Sequence, residues 1–164
     1  LREQGIIANK ICPNCGKEID NDSNYCEFCG SSQFVDLGLP SGTLWKKENE
    51  IGYYNYDTAV QKFGNKLPTK EMWKELKNSC RWTWIECGYL VVGRNGKSLF
   101  LPAMGGKGSN GPINGKGING RYWSNQRTWI KCLNDAHGLW FCSDSIDIGS
   151  FHRSCELSVR LVKG

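Results

Sequence analysis

A chain of 164 residues with net charge +5, 39% hydrophobic and 23% charged residues suits one domain, or a smaller domain with an appendage, and excludes a large multidomain enzyme. No apolar stretch approaches the roughly 18 residues of a membrane helix, so no membrane span is expected. Twenty glycines and 12% aromatic residues favour a loop-rich sheet protein over a helical bundle.

Charge is uneven along the chain. Residues 1–33 hold 3 basic and 5 acidic side chains, the remainder 18 and 11. The basic residues of the second segment are scattered among Gly, Trp and Asn rather than clustered, which disfavours nucleic acid as a partner. Leu1 in place of Met reads as a trimmed start, so an upstream signal stays open.

The first motif is a pair of Cys-x-x-Cys-Gly turns, Cys12-Pro-Asn-Cys15-Gly16 and Cys26-Glu-Phe-Cys29-Gly30, with ten residues between Cys15 and Cys26. Each turn aims two thiolates at one point, and two turns complete the tetrahedral four-sulfur set that zinc prefers. Disulfides or redox pairs are the competing reading, but no βαβ pattern surrounds either motif and so short a segment has almost no core without a metal. One structural Zn2+ on Cys12, Cys15, Cys26 and Cys29 is expected. Zinc-bound thiolates imply a reducing, cytoplasmic setting, in which Cys80 and Cys87 are read as free, buried thiols. Residues 11–30 resemble the short bacterial zinc-ribbon family. That resemblance implies a metal with all four positions filled by protein, which holds shape and activates no water, and it implies that Tyr25 and Phe28 pack around the site.

Ser31-Ser32-Gln33 reads as a linker, giving a ribbon over 1–33 and a second domain over 34–164. Phe34 to Leu37 alternates as a strand, and Pro40-Ser41-Gly42 turns into a second strand ending at Trp45. Asp57 is placed as the cap of a helix whose apolar face is Ala59, Val60 and Phe63, with Gly64 as its stop. Thr69 caps a second helix with Met72, Trp73, Leu76 and Cys80 on its buried stripe. Asn95-Gly96 closes a hairpin between Tyr89–Val92 and Ser98–Leu101. Residues 103–120, with seven glycines, read as a long loop without phosphate-loop spacing. Strands are expected again at Tyr122–Ser124, Leu139–Phe141 and Leu157–Val162.

Val35-Asp36-Leu37-Gly38-Leu39-Pro40-Ser41-Gly42-Thr43-Leu44-Trp45, Leu67-Pro68-Thr69-Lys70-Glu71-Met72-Trp73, Tyr122-Trp123-Ser124 and Ser158-Val159-Arg160 together resemble a bacterial paralogous domain. That domain is similar to the C-type-lectin-like fold of the formylglycine-generating-enzyme type. The resemblance implies an α+β domain: a mixed sheet with paired terminal strands, two helices, and long loops that display a binding surface. The half-disulfides, Glu-Pro-Asn and Trp-Asn-Asp motifs of calcium-dependent animal lectins are absent. Catalytic members use two late cysteines with copper, and Cys142 and Cys155 are only loosely placed for that role. The chain therefore reads as a binding protein rather than an enzyme, an oxidase using Cys142 and Cys155 being the alternative.

Ala136, Leu139, Phe141, Ile146 and Arg153 read as framework, and the residues between them share no chemical theme. Domains of the resembled fold include variable proteins of diversity-generating retroelements, which mutate adenines in Asn-type codons of this half. Cys132, Leu133, Asn134, His137, Gly138, Asp144, Phe151, His152 and Cys155 all belong to the reachable set, whereas Lys131, Trp140 and Glu156 do not. A diversified receptor and a fixed binding domain both fit. Asn125, Arg127, Asn134, His137, Asp144, Phe151 and His152 are expected on one exposed face that binds a protein or other macromolecular ligand, since Arg and aromatic residues commonly anchor such surfaces.

Overall fold

The computed structural model describes residues 10–20, 23–128 and 134–164, and its contacts divide the chain into Leu1–Gln33 and Phe34–Gly164. In the first unit, β1 (Lys10–Ile11) pairs antiparallel with β2 (Glu18–Ile19). Its small core consists of Cys12, Ile19 and Cys26, too little apolar surface to hold a fold by burial alone.

The second unit is strand-rich with two short helices, an α+β arrangement. Its named ladders are β3 (Phe34–Val35) and β11 (Val162–Lys163) on either side of β4 (Leu44–Lys46), then β5 (Arg81–Ile85), β6 (Gly88–Val92) and β7 (Ser98–Pro102), and finally β8 (Asn119–Arg127), β9 (Asp135–Cys142) and β10 (Ser145–His152). All of these pairings are antiparallel. Parallel contact among the described residues is confined to the single bridges Gly105–Gly120 and Tyr122–Ser158. The expected pairing of terminal strands takes a different form: β3 and β11 share β4 and do not pair with each other. Leu157–Val162 is likewise no continuous strand, because Leu157 bridges Tyr54 and Ser158 bridges Tyr122 before β11 begins.

Helix α1 (Tyr56–Phe63) is capped two residues ahead of the expected Asp57. The Asn55 side chain accepts the Thr58 N–H at 2.9 Å, which puts Asp57 inside the first turn. Ala59 and Phe63 are buried, whereas Val60 points outward. Helix α2 (Lys70–Ser79) is capped by Thr69, whose hydroxyl accepts the Met72 N–H at 3.1 Å. It buries Trp73 and Leu76, while Cys80 ends the helix rather than extending its stripe. Two strands escape the sequence reading: β5, between Cys80 and Cys87, and β10. Cys87 is exposed at the β5–β6 turn, not buried, and both thiols are free. The five-residue strand β5, about 17 Å long, stands between them.

Sheet β8–β10 lies between two clusters because its side chains alternate. Tyr122, Leu139 and Phe141 face Trp73, Leu76, Tyr89 and Leu101. Trp123 and Ala136 face Tyr56, Ala59, Phe63, Leu157 and Val159. Trp45 and Trp73 meet with ring centroids 4.6 Å apart. The glycine-rich loop is a loop, as its composition implies, but a pinned one. Gly106 bridges Asn114 and Lys107 bridges Glu156. Gly105 has φ +63°, and a Cβ there would meet the Asn114 carbonyl at 2.1 Å, so no other residue fits.

One polar network crosses the first cluster. Arg160, 1% exposed, donates from Nε to Asn49 Oδ1 at 2.7 Å, from Nη1 to the Lys46 and Lys47 carbonyls, and from Nη2 to the Phe100 carbonyl. Asn49 in turn donates to the Tyr122 hydroxyl, which donates to the Pro102 carbonyl at 2.6 Å. Burial pushes the Tyr122 phenol up to about 12, against the pull of Arg160. The folded state favours the neutral phenol, so this stabilisation is complete below the unfolded pKa of about 10 and is lost as pH rises toward 12. An alkaline unfolding titration of Tyr122→Phe should therefore lose less stability between these pH values than wild type. Equal slopes would remove Tyr122 as the titrating group.

Candidate functional site

The four ribbon cysteines come together from two turns with the same internal wiring. Gly16 N–H donates to the Cys12 carbonyl and Gly30 N–H to the Cys26 carbonyl, both at 2.8 Å. Cys12 N–H donates to the Lys17 carbonyl and Cys26 N–H to the Ser31 carbonyl, again both at 2.8 Å. The chain reverses at Gly16 (φ +74°) and Gly30 (φ +71°), a conformation glycine adopts without a Cβ penalty.

All four sulfurs lie within 4.8 Å of one another. Cys12 and Cys29 Sγ are 3.8 Å apart, Cys15 and Cys26 Sγ 3.6 Å. A tetrahedron with zinc–sulfur bonds of about 2.3 Å has edges of about 3.8 Å, close to these two sulfur pairs, so the donor set suits the ion. Cys12 and Cys26 are buried, Cys15 and Cys29 exposed.

The surroundings favour thiolates unequally. The Ser31 hydroxyl and then the Asn14 amide lower the Cys29 thiol to about 5. Ser31 also heads the groups that lower Cys12. For Cys15 the Lys17 backbone lowers the thiol, but burial and the sulfurs of Cys26, Cys12 and Cys29 outweigh it and push it up to about 11. Crowded thiols resist joint ionisation, and a dication removes that resistance. With four protein sulfurs around one ion no position is left for a reacting water, which makes this a structural site for one Zn2+. Tyr25 and Phe28 do not pack around it as expected. They stay 57% and 53% exposed, Phe28 beneath the Lys17 ammonium at 4.7 Å. Among the described residues, no other His, Cys, Asp or Glu cluster has metal-binding geometry.

The seven residues nominated for recognition are split by the sheet. Arg127, Ala136 and Phe151 lie opposite one another across β8, β9 and β10, so their side chains share one side. Phe151 is half-buried there, edge-on to Trp123 at 6.0 Å. His137, one residue along, faces the opposite side, where burial and then Lys70 lower its imidazole. Asn125 is tied by its backbone, its N–H to the Pro68 carbonyl and its carbonyl to the Tyr56 hydroxyl. Asp144 sits in the β9–β10 turn, accepting from Cys142 Sγ at 3.0 Å, an eight-residue strand or about 27 Å from the hairpin's other end. Cys155 follows β10 at that other end, so Cys142 and Cys155 are not neighbours. Cys132 and Leu133 lie outside the described residues.

Asn134 and His152 do meet. With Asn55, Asp57, Thr58, Arg153 and Ser154 they line an open recess of about 510 Å³ beside the start of α1. Arg153, read from the sequence as framework, ion-pairs with Asp57 and lies 5.8 Å from the Tyr56 ring centroid. His152 Nδ1 lies 2.7 Å from the Ser154 hydroxyl and 3.2 Å from the Ser154 backbone nitrogen. Ninety-six residues separate Asp57 from Arg153, so no local pattern announces the pair.

No helix among the described residues is long and apolar enough to cross a membrane. Neither a curated protein nor a solved structure matches the chain. Residues 11–33 match the profile of a zinc-ribbon domain, the segment that carries the four-cysteine site.

Proposed function

We propose that Phe34–Gly164 is a ligand-binding domain on a C-type-lectin-like scaffold of the formylglycine-generating-enzyme type, and that the zinc ribbon is a structural appendage. The observation that carries this reading is the polar recess around Asn134 and His152. Its volume falls in the range of about 300–1,000 Å³ common to binding sites. It is bounded by side chains of α1 and of the turn after β10, while Tyr56 and Ala136 of the neighbouring cluster are buried. Fixed framework and outward polar positions at one sheet end suit a protein or other macromolecular ligand. A non-enzymatic role accords with the separation of Cys142 from Cys155, the pair on which the oxidase alternative depends.

A peptide and glycan array probed with the full chain tests this reading. Spots bound by wild type and lost with Asn134→Ala/His152→Ala, at unchanged thermal stability, support it. Identical binding by the variant, or copper-dependent oxidation of a thiol peptide, overturns it. Retroelement diversification is a further part of the proposal, and sibling genomic copies decide it. Substitutions should concentrate at Asn134, His152 and the other nominated positions beside a reverse transcriptase gene, whereas uniform substitution rejects diversification.

A further inference from the structure

The two cysteine turns of the ribbon are alike in backbone and unlike in side chains. Aligned on their cysteines, Asn14 corresponds to Phe28 and Lys17 to Ser31. Asn14 and Ser31 reach the same sulfur. The Asn14 side-chain amide donates to Cys29 Sγ at 3.4 Å, and the Ser31 hydroxyl lies 3.2 Å from that atom. The hydroxyl is also 3.5 Å from Cys12 Sγ, so it straddles the 3.8 Å edge between Cys12 and Cys29. At the corresponding positions of the other turn, the Lys17 ammonium lies over the Phe28 ring instead. Among the described residues, no side chain outside the four cysteines is hydrogen-bonded to Cys15 Sγ.

That difference falls on the two sulfurs that meet solvent. Cys12 and Cys26 are buried, whereas Cys15 and Cys29 are exposed. Four thiolates around one dication leave two negative charges in excess. A metal-bound thiolate carries no proton, so the Ser31 hydroxyl can only donate to it. Each charge-assisted bond of this kind draws electron density from the sulfur it meets, which stabilises the anionic complex and makes that sulfur a poorer nucleophile. Cys29 has two such side-chain donors, and Cys15 has none.

We propose that Ser31 and Asn14 are positioning residues of the zinc site: their hydrogen bonds hold Cys29 as a ligand and raise the ribbon's affinity for zinc, leaving Cys15 as the sulfur at which an electrophile enters. Groups that hydrogen-bond to metal ligands commonly account for about 10–100-fold in metal affinity. Ser31 carries the larger share, because its hydroxyl is closer to Cys29 than the Asn14 amide is and serves Cys12 as well.

Competition with a chelator of known affinity measures zinc binding by the full chain. Limited alkylation of the zinc-loaded chain with iodoacetamide, mapped by mass spectrometry, measures the reactivity of each sulfur. In that reaction a sulfur lone pair forms the carbon–sulfur bond and iodide leaves. Cys87, a free and exposed thiol of the second unit, is the internal reference. Wild type should be labelled faster at Cys15 than at Cys29. Ser31→Ala should weaken zinc binding about tenfold or more and bring Cys29 up to the rate of Cys15. Asn14→Ala leaves the hydroxyl in place and decides the matter if Ser31→Ala fails to fold; it should move both readouts in the same direction by less. Ser31→Thr keeps a hydroxyl and should stay within about threefold of wild type. A ribbon that is merely loosened exposes all four sulfurs together. That pattern, or unchanged zinc affinity in every folded alanine variant, overturns the proposal. Alkylation of wild type at Cys29 ahead of Cys15 overturns it equally.

Discussion

Replacing Cys12 and Cys15 with serine will abolish zinc binding and unfold the ribbon, while Phe34–Gly164 keeps its stability. Structural zinc in such sites contributes about 10–16 kcal/mol of apparent binding free energy at neutral pH, far more than a core of Cys12, Ile19 and Cys26 provides. The second unit depends on none of it, having two clusters of its own. All seven tryptophans lie after residue 33, so tryptophan fluorescence follows the second unit alone, and amide exchange in residues 10–20 follows the ribbon. Wild type should hold one zinc equivalent per chain. Chelation should release it and unprotect those amides without moving the fluorescence melting curve. Metal-free wild type, or a fluorescence transition that shifts with the chelator, would contradict the assignment.

The largest single-residue effect in the second unit is expected at Arg160. Alanine there takes away the donors that satisfy Asn49 Oδ1 and the carbonyls of Lys46, Lys47 and Phe100, and it empties the volume of a fully buried side chain. Breaking a buried charged network in this way costs about 3–5 kcal/mol, a large share of a typical stability of about 5–15 kcal/mol. Urea denaturation should show the loss in the midpoint. Arg160→Lys should recover only part of it, since one ammonium cannot replace a planar fork that reaches both Asn49 and Phe100. A cost below about 1 kcal/mol for Arg160→Ala would show that the network is dispensable.

The metal site was legible because all four ligands sit inside two short turns, each with its own glycine. Local signals also placed α2, through Thr69, and the β6–β7 hairpin, through Asn95-Gly96. Two strands escape the sequence reading although both alternate: Arg81-Trp82-Thr83-Trp84-Ile85 reads as a segment framed by thiols, and of Ile146-Asp147-Ile148 only Ile146 reads as framework. The first helix shows a subtler limit. Asn55 and Asp57 are both good caps, and only the backbone decides that Asn55 holds the Thr58 N–H. The recognition residues failed to converge for a physical reason. Residues 136 and 137 belong to opposite sheet faces, and Asp144 lies a whole strand from His152. The recess depends on a pairing between Asp57 and Arg153 that only the folded chain brings about.

The sharing of β4 by β3 and β11 bears on how this unit can be combined with others. Phe34 sits opposite Lys46 on one side of β4 and Lys163 opposite Leu44 on the other, and the Lys163 ammonium reaches 5.9 Å from the Phe34 ring centroid. Two inter-strand spacings across and two residues along, about 12 Å in all, therefore separate the points where the backbone enters and leaves. A module with neighbouring entry and exit can be spliced into a surface loop of an unrelated host without stretching either, and it can be circularly permuted by a short bridge from Gly164 to Phe34.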